Sequence, residues 1–312
     1  MGKEKNFGLK KWSAMTGKEK KRVQYFLMAI PFLVFVFALC YVPLFGWAYA
    51  FFDYKIGKPL WESTFVGLSN FVKLFNDRDI IRVLRNTLAM SFLNLLFSPL
   101  PMFFAIMLNE LTNRKAKKFV QTITTLPNFI SWIVVFGLAF TMFSSQGMVN
   151  KLLDVLHISH SITGLIGDSD ATWFFQLGLG IWKSLGWSTI IYMASITGID
   201  MELYDAAKVD GANRTQLARY ITLPGLIPTY MVLLLLAVSN LLNNGFDQYY
   251  IFWNSMVSDK IEVLDYYIYK LGFMSSQYSY SIAVGMLKSV VSIILLFTAN
   301  RISKKVRGSS LI

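Results

Sequence analysis

The sequence predicts an all-α membrane protein with six transmembrane helices. Three observations carry that expectation. Of the 312 residues, 54% are hydrophobic and only 15% are charged, whereas a soluble domain carries about 25% charged residues. A chain of this size cannot cover itself with so little charge, so lipid is its expected solvent. Six apolar stretches lie at 23–48, 87–108, 119–143, 172–199, 226–242 and 279–300, and a helix needs about 20 residues to cross the hydrocarbon core. Basic residues alternate sides: in a six-span arrangement 19 of the 30 Lys and Arg fall on one side and nine on the other.

The first element is a basic tail at 1–22 with eight Lys and Arg. The apolar run behind it is too long for a signal peptide and shows no small-residue cleavage site, so the run is expected to be retained. The 109–118 loop holds four basic residues, the 200–225 loop three, and the end at 301–312 four. The positive-inside rule places all of these, and both termini, in the cytoplasm. The exterior segment 49–86 is long. Phe71, Leu74 and Phe75, then Ile80, Ile81 and Leu84, follow helical spacing and predict a helix lying on the membrane surface. The 226–242 stretch is marginal in length and is expected to extend into the polar residues after it. No internal repeat divides the chain, so 23–300 reads as one membrane domain between two basic tails.

The net charge of +12 sits in short clusters beside apolar spans. It therefore argues for membrane topology, with no nucleic-acid partner. The single cysteine, Cys40, excludes a disulfide framework or metal cluster and reads as a small core hydrophobe. His157 and His160, with only Asp154 nearby, read as solvated loop residues, and no metal site is expected.

The most distinctive segment interrupts this apolar pattern near residue 200. Asp200 is placed to cap a helix, with Glu202 in its first turn, where an acid favours the helix dipole. Leu203, Ala206 and Ala207 share one face, on which alanines let a partner approach closely. Gly211 permits the backbone to turn. Asn213 caps a second helix, with Gln216 three residues on as in a capping box. Leu217, Tyr220 and Ile221 make its apolar face, and Pro224 and Pro228 are expected to reset the chain before the fifth span. As a bare pattern this is a solvated surface loop or a docking element.

The motifs decide between those readings. Asp205-Ala206-Ala207, then Asp210-Gly211-Ala212, then Ile221-Thr222-Leu223-Pro224 resembles the EAA motif of binding-protein-dependent ABC importer permeases of the MalF/MetI-like kind. Asp205 replaces the usual glutamate, keeping the charge with a shorter reach. Val66-Gly67-Leu68-Ser69-Asn70-Phe71, Arg85-Asn86-Thr87-Leu88 and Leu108-Asn109-Glu110 are similar to elements around the second span of sugar permeases. Gln121-Thr122, Leu126-Pro127-Asn128-Phe129-Ile130-Ser131-Trp132 and Ile181-Trp182-Lys183-Ser184-Leu185-Gly186-Trp187 resemble the LplB-like polysaccharide and oligosaccharide subgroup. Together they cover most of the chain.

The resemblance implies a type I importer permease fold with a cytoplasmic coupling-helix loop. Glu202, Asp205, Ala206, Ala207, Asp210, Gly211, Ala212, Leu223 and Pro224 would then couple to an ATPase. The chain has no G-x-x-x-x-G-K-[ST] phosphate loop, so it is not expected to be an enzyme. ATP and Mg belong to a partner, and no cofactor is expected on this chain. The implied partners are a second, non-identical permease, two ABC ATPase subunits, an exterior solute-binding protein and a carbohydrate.

Polar residues inside spans are costly and face a cavity or a neighbouring helix. Asn240, Asn243, Asn244 and Asp247 share a face if the fifth helix continues, with Trp253 nearby. They read either as a sugar path, amides serving hydroxyls and aromatic faces serving rings, or as loop and helix-bridging groups. Asn94 and Ser98 in the second span leave the same two readings open. Lys183 and Lys288 fall within spans, where each must snorkel or find a partner. The alternative class, a six-span secondary transporter of a polar solute, would need charged coupling residues in several spans and repeated halves, and neither is seen.

Overall fold

The computed structural model describes residues 16–157 and 163–307. Most of the basic tail 1–22, His160 and the last residues of the tail 301–312 lie outside them. The first helical run comprises α1 (Gly17–Val36), a π-turn (Phe37–Tyr41) and a 3₁₀ stretch (Val42–Phe51). A short antiparallel pair follows, β1 (Phe52–Asp53) with β2 (Thr64–Phe65), in register Phe52 to Phe65. Then come α2 (Ser69–Asn76), α3 (Arg78–Phe97), α4 (Leu100–Glu110), α5 (Arg114–Thr125) and α6 (Trp132–Phe143). After them run α7 (Met148–Val155), α8 (Gly164–Gly167), α9 (Thr172–Thr197), α10 (Met201–Val209), α11 (Arg214–Leu217) and α12 (Leu223–Ser239). The short α13 (Asp247–Phe252), α14 (Ser258–Ile261) and α15 (Leu264–Tyr269) precede the long α16 (Tyr278–Arg307).

Among the described residues, four helical runs are long and apolar enough to cross a bilayer: Lys20–Phe51, Arg78–Glu110, Arg214–Ser239 and Tyr278–Arg301. The pair Arg114–Phe129 and Trp132–Phe143, bent by 105°, makes five if it counts as one span. The 26-residue α9 is long enough, but Gln176, Lys183 and its serines and glycines dilute its apolar character.

Several expected elements are corrected. The 119–143 stretch is not one helix. Pro127 supplies no N–H, and Ile130 and Ser131 are extended at ψ 133 and 152, so the backbone breaks there. The surface helix is only α2. Ile80, Ile81 and Leu84 belong to α3, which starts nine residues before the expected Thr87 because Asp77 caps it, accepting from Asp79 N at 2.9 Å. The fifth helical run does not extend forward. It reaches back to Arg214 and ends at Ser239. Pro224 and Pro228 therefore do not reset the chain, since a π-turn at Ala218–Thr222 widens the helix just before Pro224. Cys40 is exposed on the first helical run, whose apolar window is unburied, so it is not a core residue. His157 is exposed, as expected of a loop residue.

Three apolar clusters hold the described residues together. One joins α3, α6 and α9 to the 249–266 segment through Met90, Val135, Leu177, Phe252 and Tyr266. A second packs α4, α9 and α12 through Ala105, Tyr192 and Leu226. A third joins the start of α3 to α15 and α16 through Val83, Leu264 and Val284. The α9 helix lies hard against the end of α5: a Cβ on Gly186 would stand 2.2 Å from the Thr124 carbonyl oxygen. Only glycine fits there.

Candidate functional site: an exposed helix pair and a polar cleft at opposite ends of one helical run

The α10–α11 segment is built by local rules. Asp200 accepts from Glu202 N at 3.0 Å and starts α10. Gly211, at φ +82, turns the chain, and Ala212 N donates back to Ala207 O at 2.9 Å. Asn213 and Gln216 complete the capping box, at 2.9 and 2.8 Å. Asp205 pairs with Lys208 at 2.9 Å on the open surface. Leu203 and Val209 are exposed, Val209 to 88%. Tyr204 tethers the pair to the fifth helical run through a hydroxyl contact with Thr222 at 2.9 Å. Leu223 and Pro224 open α12, and Gly225 sits against Ile199. The segment is thus a rigid exposed pair of short helices bolted to the base of two long ones.

At the other end of that run the expected path residues separate. The helical face through Asn240, Asn243, Asn244 and Asp247 does not form. Asn240 ends α12 at φ −97, ψ 20, and Gly245 at φ +86 redirects the chain before α13. Even so, Asn94, Asn240, Asn243 and Asn244 line one cleft of about 230 Å³ with Ser91. Asn244 Nδ2 donates to Ser91 Oγ at 3.0 Å, and its backbone N–H donates to Asp265 at 3.1 Å. Asn94 also borders a neighbouring cleft of about 250 Å³, with Ser98 and Tyr230. Ser98 meets the Tyr230 hydroxyl at 3.2 Å, bridging α3 and α12. Asp247 and Trp253 are not in the Asn94 cleft. Asp247 is exposed in the first turn of α13, and Trp253 Nε1 donates to Glu262 at 3.1 Å.

Both span lysines are partnered. Lys183 Nζ donates to the carbonyls of Pro127 at 3.1 Å, Asn128 at 2.9 Å and Ile130. It thereby satisfies the carbonyls freed by the break between α5 and α6, the condition for irregular backbone at membrane depth. Lys288 pairs with Asp265 and reaches Asn243 Oδ1 at 3.4 Å, pinning α16 to the cleft.

Sequence reasoning missed the charge cluster above this cleft. Glu262 is fully buried and accepts from Arg82 at 2.8 Å, Lys270 at 2.6 Å and Trp253. Asn86, also buried, donates to the Glu262 and Asp259 carbonyls at 3.1 and 2.8 Å. The one available signal was a lone acid inside Ile261-Glu262-Val263-Leu264. At the start of α3, further from the cleft, Asp77 accepts from Tyr280 and Tyr267 at 2.6 and 2.8 Å. Burial alone would lift its carboxyl, but those hydroxyls and two backbone N–H groups outweigh it and hold the pKa below the ordinary 3.8.

These features agree with what the chain is similar to. It is 39% identical over 298 residues to the Bacillus subtilis protein LplB, covering 94% of this chain and 92% of that protein. It is 39% identical over 284 residues to the Bacillus subtilis polygalacturonan/rhamnogalacturonan transport system permease protein YteP, covering 90% and 87%. A chain in the crystal structure of a bacterial alginate ABC transporter, in complex with an alginate pentasaccharide-bound periplasmic protein, superposes with TM-score 0.85 at 32% identity, covering 94% of this chain and 99% of that one. Residues 98–308 match the family described as binding-protein-dependent transport system inner membrane component, and the chain belongs to that family.

Proposed function

We propose that this chain is the membrane-spanning permease subunit of an ATP-driven importer, and that it passes an oligosaccharide delivered by a solute-binding protein. The observation that carries the reading is the exposed α10–Gly211–α11 pair, capped at both helix starts and joined to the fifth helical run. Short capped helices move as rigid bodies, so a push on them reaches α9 and α12. Glu202, Asp205, Ala206, Ala207, Asp210, Gly211, Ala212, Leu223 and Pro224 form or anchor this element. ATP and Mg act on two partner ATPases. A second permease completes the path, and the heterodimer is the arrangement we favour. Counting α9 and the bent α5–α6 pair gives six spans, in a bacterial cytoplasmic membrane, with both termini on the α10 side. Domain bounds of 1–22, 23–300 and 301–312 follow from that count. The cleft of Asn94, Asn240, Asn243 and Asn244 is the proposed sugar path, and Asp247 and Trp253 stand outside it.

The sugar assignment is supported by the relatives that carry polygalacturonan and alginate in their names. The coupling role is tested with the whole transporter in proteoliposomes. Asp205→Lys and Gly211→Pro should abolish ATP-driven oligosaccharide uptake while the chain still inserts and assembles. Normal uptake by both variants would overturn the coupling role.

A further inference from the structure

A file of aromatic rings begins where the asparagine cleft ends. Phe246 follows Asn244-Gly245 directly and stacks on Tyr250 at 4.9 Å. Tyr250 meets Tyr269 at 5.4 Å, and Tyr269 stacks on Phe273 at 5.1 Å. Phe273 meets Tyr278 at 6.5 Å, and Tyr278 meets Tyr54 at 6.2 Å. The rings come from segments as far apart in sequence as Tyr54, just after β1, and Tyr278, at the start of α16, yet they touch in succession. Tyr250 is 41% exposed and Phe273 72% exposed, so the file has open faces. Close by in the chain is a polar hollow of about 410 Å³ lined by Lys73, Asp77, Arg78, Asp79, Lys270 and Gln277, among others; Asp77 is held by Tyr267 and Tyr280, and Lys270 by Glu262. Arg78 is exposed and has no ion-pair partner among the described residues.

We propose that this ring file is a stacking track for an extended oligosaccharide bearing carboxylates, leading it from the delivery side to the asparagine cleft. The proposal rests on the carbohydrate reading given above. Pyranose rings have apolar C–H faces that pack on aromatic faces, while their hydroxyls need amides and their carboxylates need cations. The three kinds of group stand here in one neighbourhood: amides in the cleft, rings in the file, and Arg78 in the hollow. Anchors at a membrane interface are aromatic too. Such anchors have no need to touch one another in file between an amide cleft and a hollow that holds an unpaired arginine.

The test uses the whole transporter in proteoliposomes, with its ATPase, second permease and solute-binding protein. The probes are a galacturonate disaccharide, a galacturonate hexasaccharide and a neutral xylose hexasaccharide. Phe273→Ala and Tyr250→Ala should each lower hexasaccharide uptake by up to about tenfold, the scale of one lost ring contact. Disaccharide uptake should stay within about twofold. Phe273→Tyr should restore the long substrate. Arg78→Gln should lower uptake of the charged hexasaccharide and leave the neutral one unchanged. Equal loss at both chain lengths would overturn the track and mark the rings as structural. A rise in the binding-protein concentration needed for ATPase stimulation would overturn it in favour of a protein-docking face. Unchanged hexasaccharide uptake would overturn it in favour of membrane anchoring. If the unmutated transporter moves no oligosaccharide of either length, the carbohydrate reading fails and the track falls with it.

Discussion

The α10–α11 loop and the 240–277 segment sit at opposite ends of the same helical run and are built in opposite ways. Every hydrogen bond that shapes the loop is made within a few residues: Asp200 to Glu202, Gly211 to Lys208, Asn213 to Gln216. Among the described residues, its side-chain link to the fifth helical run is Tyr204 to Thr222. The 240–277 segment has little regular structure and is held by partners far away in sequence: Arg82, Asn86, Ser91, Gln176 and Lys288. The proposed roles account for the difference: an element that must push on another protein keeps its face free and its shape self-sufficient. An element that must line a path through lipid needs its irregular backbone locked by the surrounding helices.

The largest expected effect falls on the locked side. Glu262→Ala removes the buried acceptor shared by Arg82, Lys270 and Trp253, leaving Arg82 with Asp79 and Asp259 but Lys270 without its carboxylate. Breaking a buried charge network costs about 3–5 kcal/mol, so the detergent-solubilised chain should melt well below the unmutated one. Asp205→Ala breaks the exposed Asp205–Lys208 pair, worth about 0.3–0.5 kcal/mol, and should leave the melting curve in place. Equal melting of the two variants would erase the contrast between the regions.

Lys183→Met comes next. It removes the ammonium shared by three carbonyls at the break between α5 and α6. Hydrogen bonds to charged groups contribute about 1.5–3 kcal/mol each. Because neighbouring groups and water recover part of that, a net loss of about 2–3 kcal/mol is expected. Spin labels on α5 and α6 should also report a broader spread of separations. A sharp, unchanged distribution would mean that Pro127 alone sets the bend.

Asn213→Ala tests the loop's self-sufficiency. Losing an N-cap costs about 1 kcal/mol, and here the capping box goes with it. Uptake should fall several-fold while the melting temperature barely moves, since nothing in the cores depends on α11. A fall in melting temperature with full uptake would reverse the assignment of the loop as a transmitting element.

The same contrast explains what was legible in the sequence. The caps at Asp200 and Asn213, the turn at Gly211 and the long apolar runs are written in neighbouring residues, and pattern reading finds them. Pattern reading fails where distant residues decide. The 119–143 run looks continuous because Lys183, the group that satisfies its break, lies on α9. The fifth helix seemed to start at 226 because prolines usually stop helices, and the π-turn that accommodates Pro224 has no local signature. Asn240, Asn243 and Asn244 were found as a cluster, but on a helical face that Gly245 prevents. Their real companions are Ser91 and Asp265, far away in the chain. Glu262 was passed over because its partners sit on α3 and after α15.

The smallest effect separates the two regions by acid. Asp77 joins the start of α3 to Tyr267 and Tyr280, so its charge belongs to the locked end. Its carboxyl is held below the ordinary 3.8 in the folded chain. A depressed carboxyl contributes stability that is complete above the unfolded value and lost as pH falls through the folded one. Between neutral pH and about pH 5 the unmutated chain and Asp77→Asn should therefore keep a constant difference in melting temperature. Below about pH 4, where carboxyls begin to take up protons, that difference should shrink, because protonation removes from the unmutated chain what the substitution has already removed. Other acids titrate in the same range in both proteins, and taking the difference cancels them. The acids of α10 are exposed and touch nothing around Asp77, so they cannot imitate the signal. A difference that stays constant down to about pH 2 would mean that the tyrosines hold Asp77 by shape alone, without its charge.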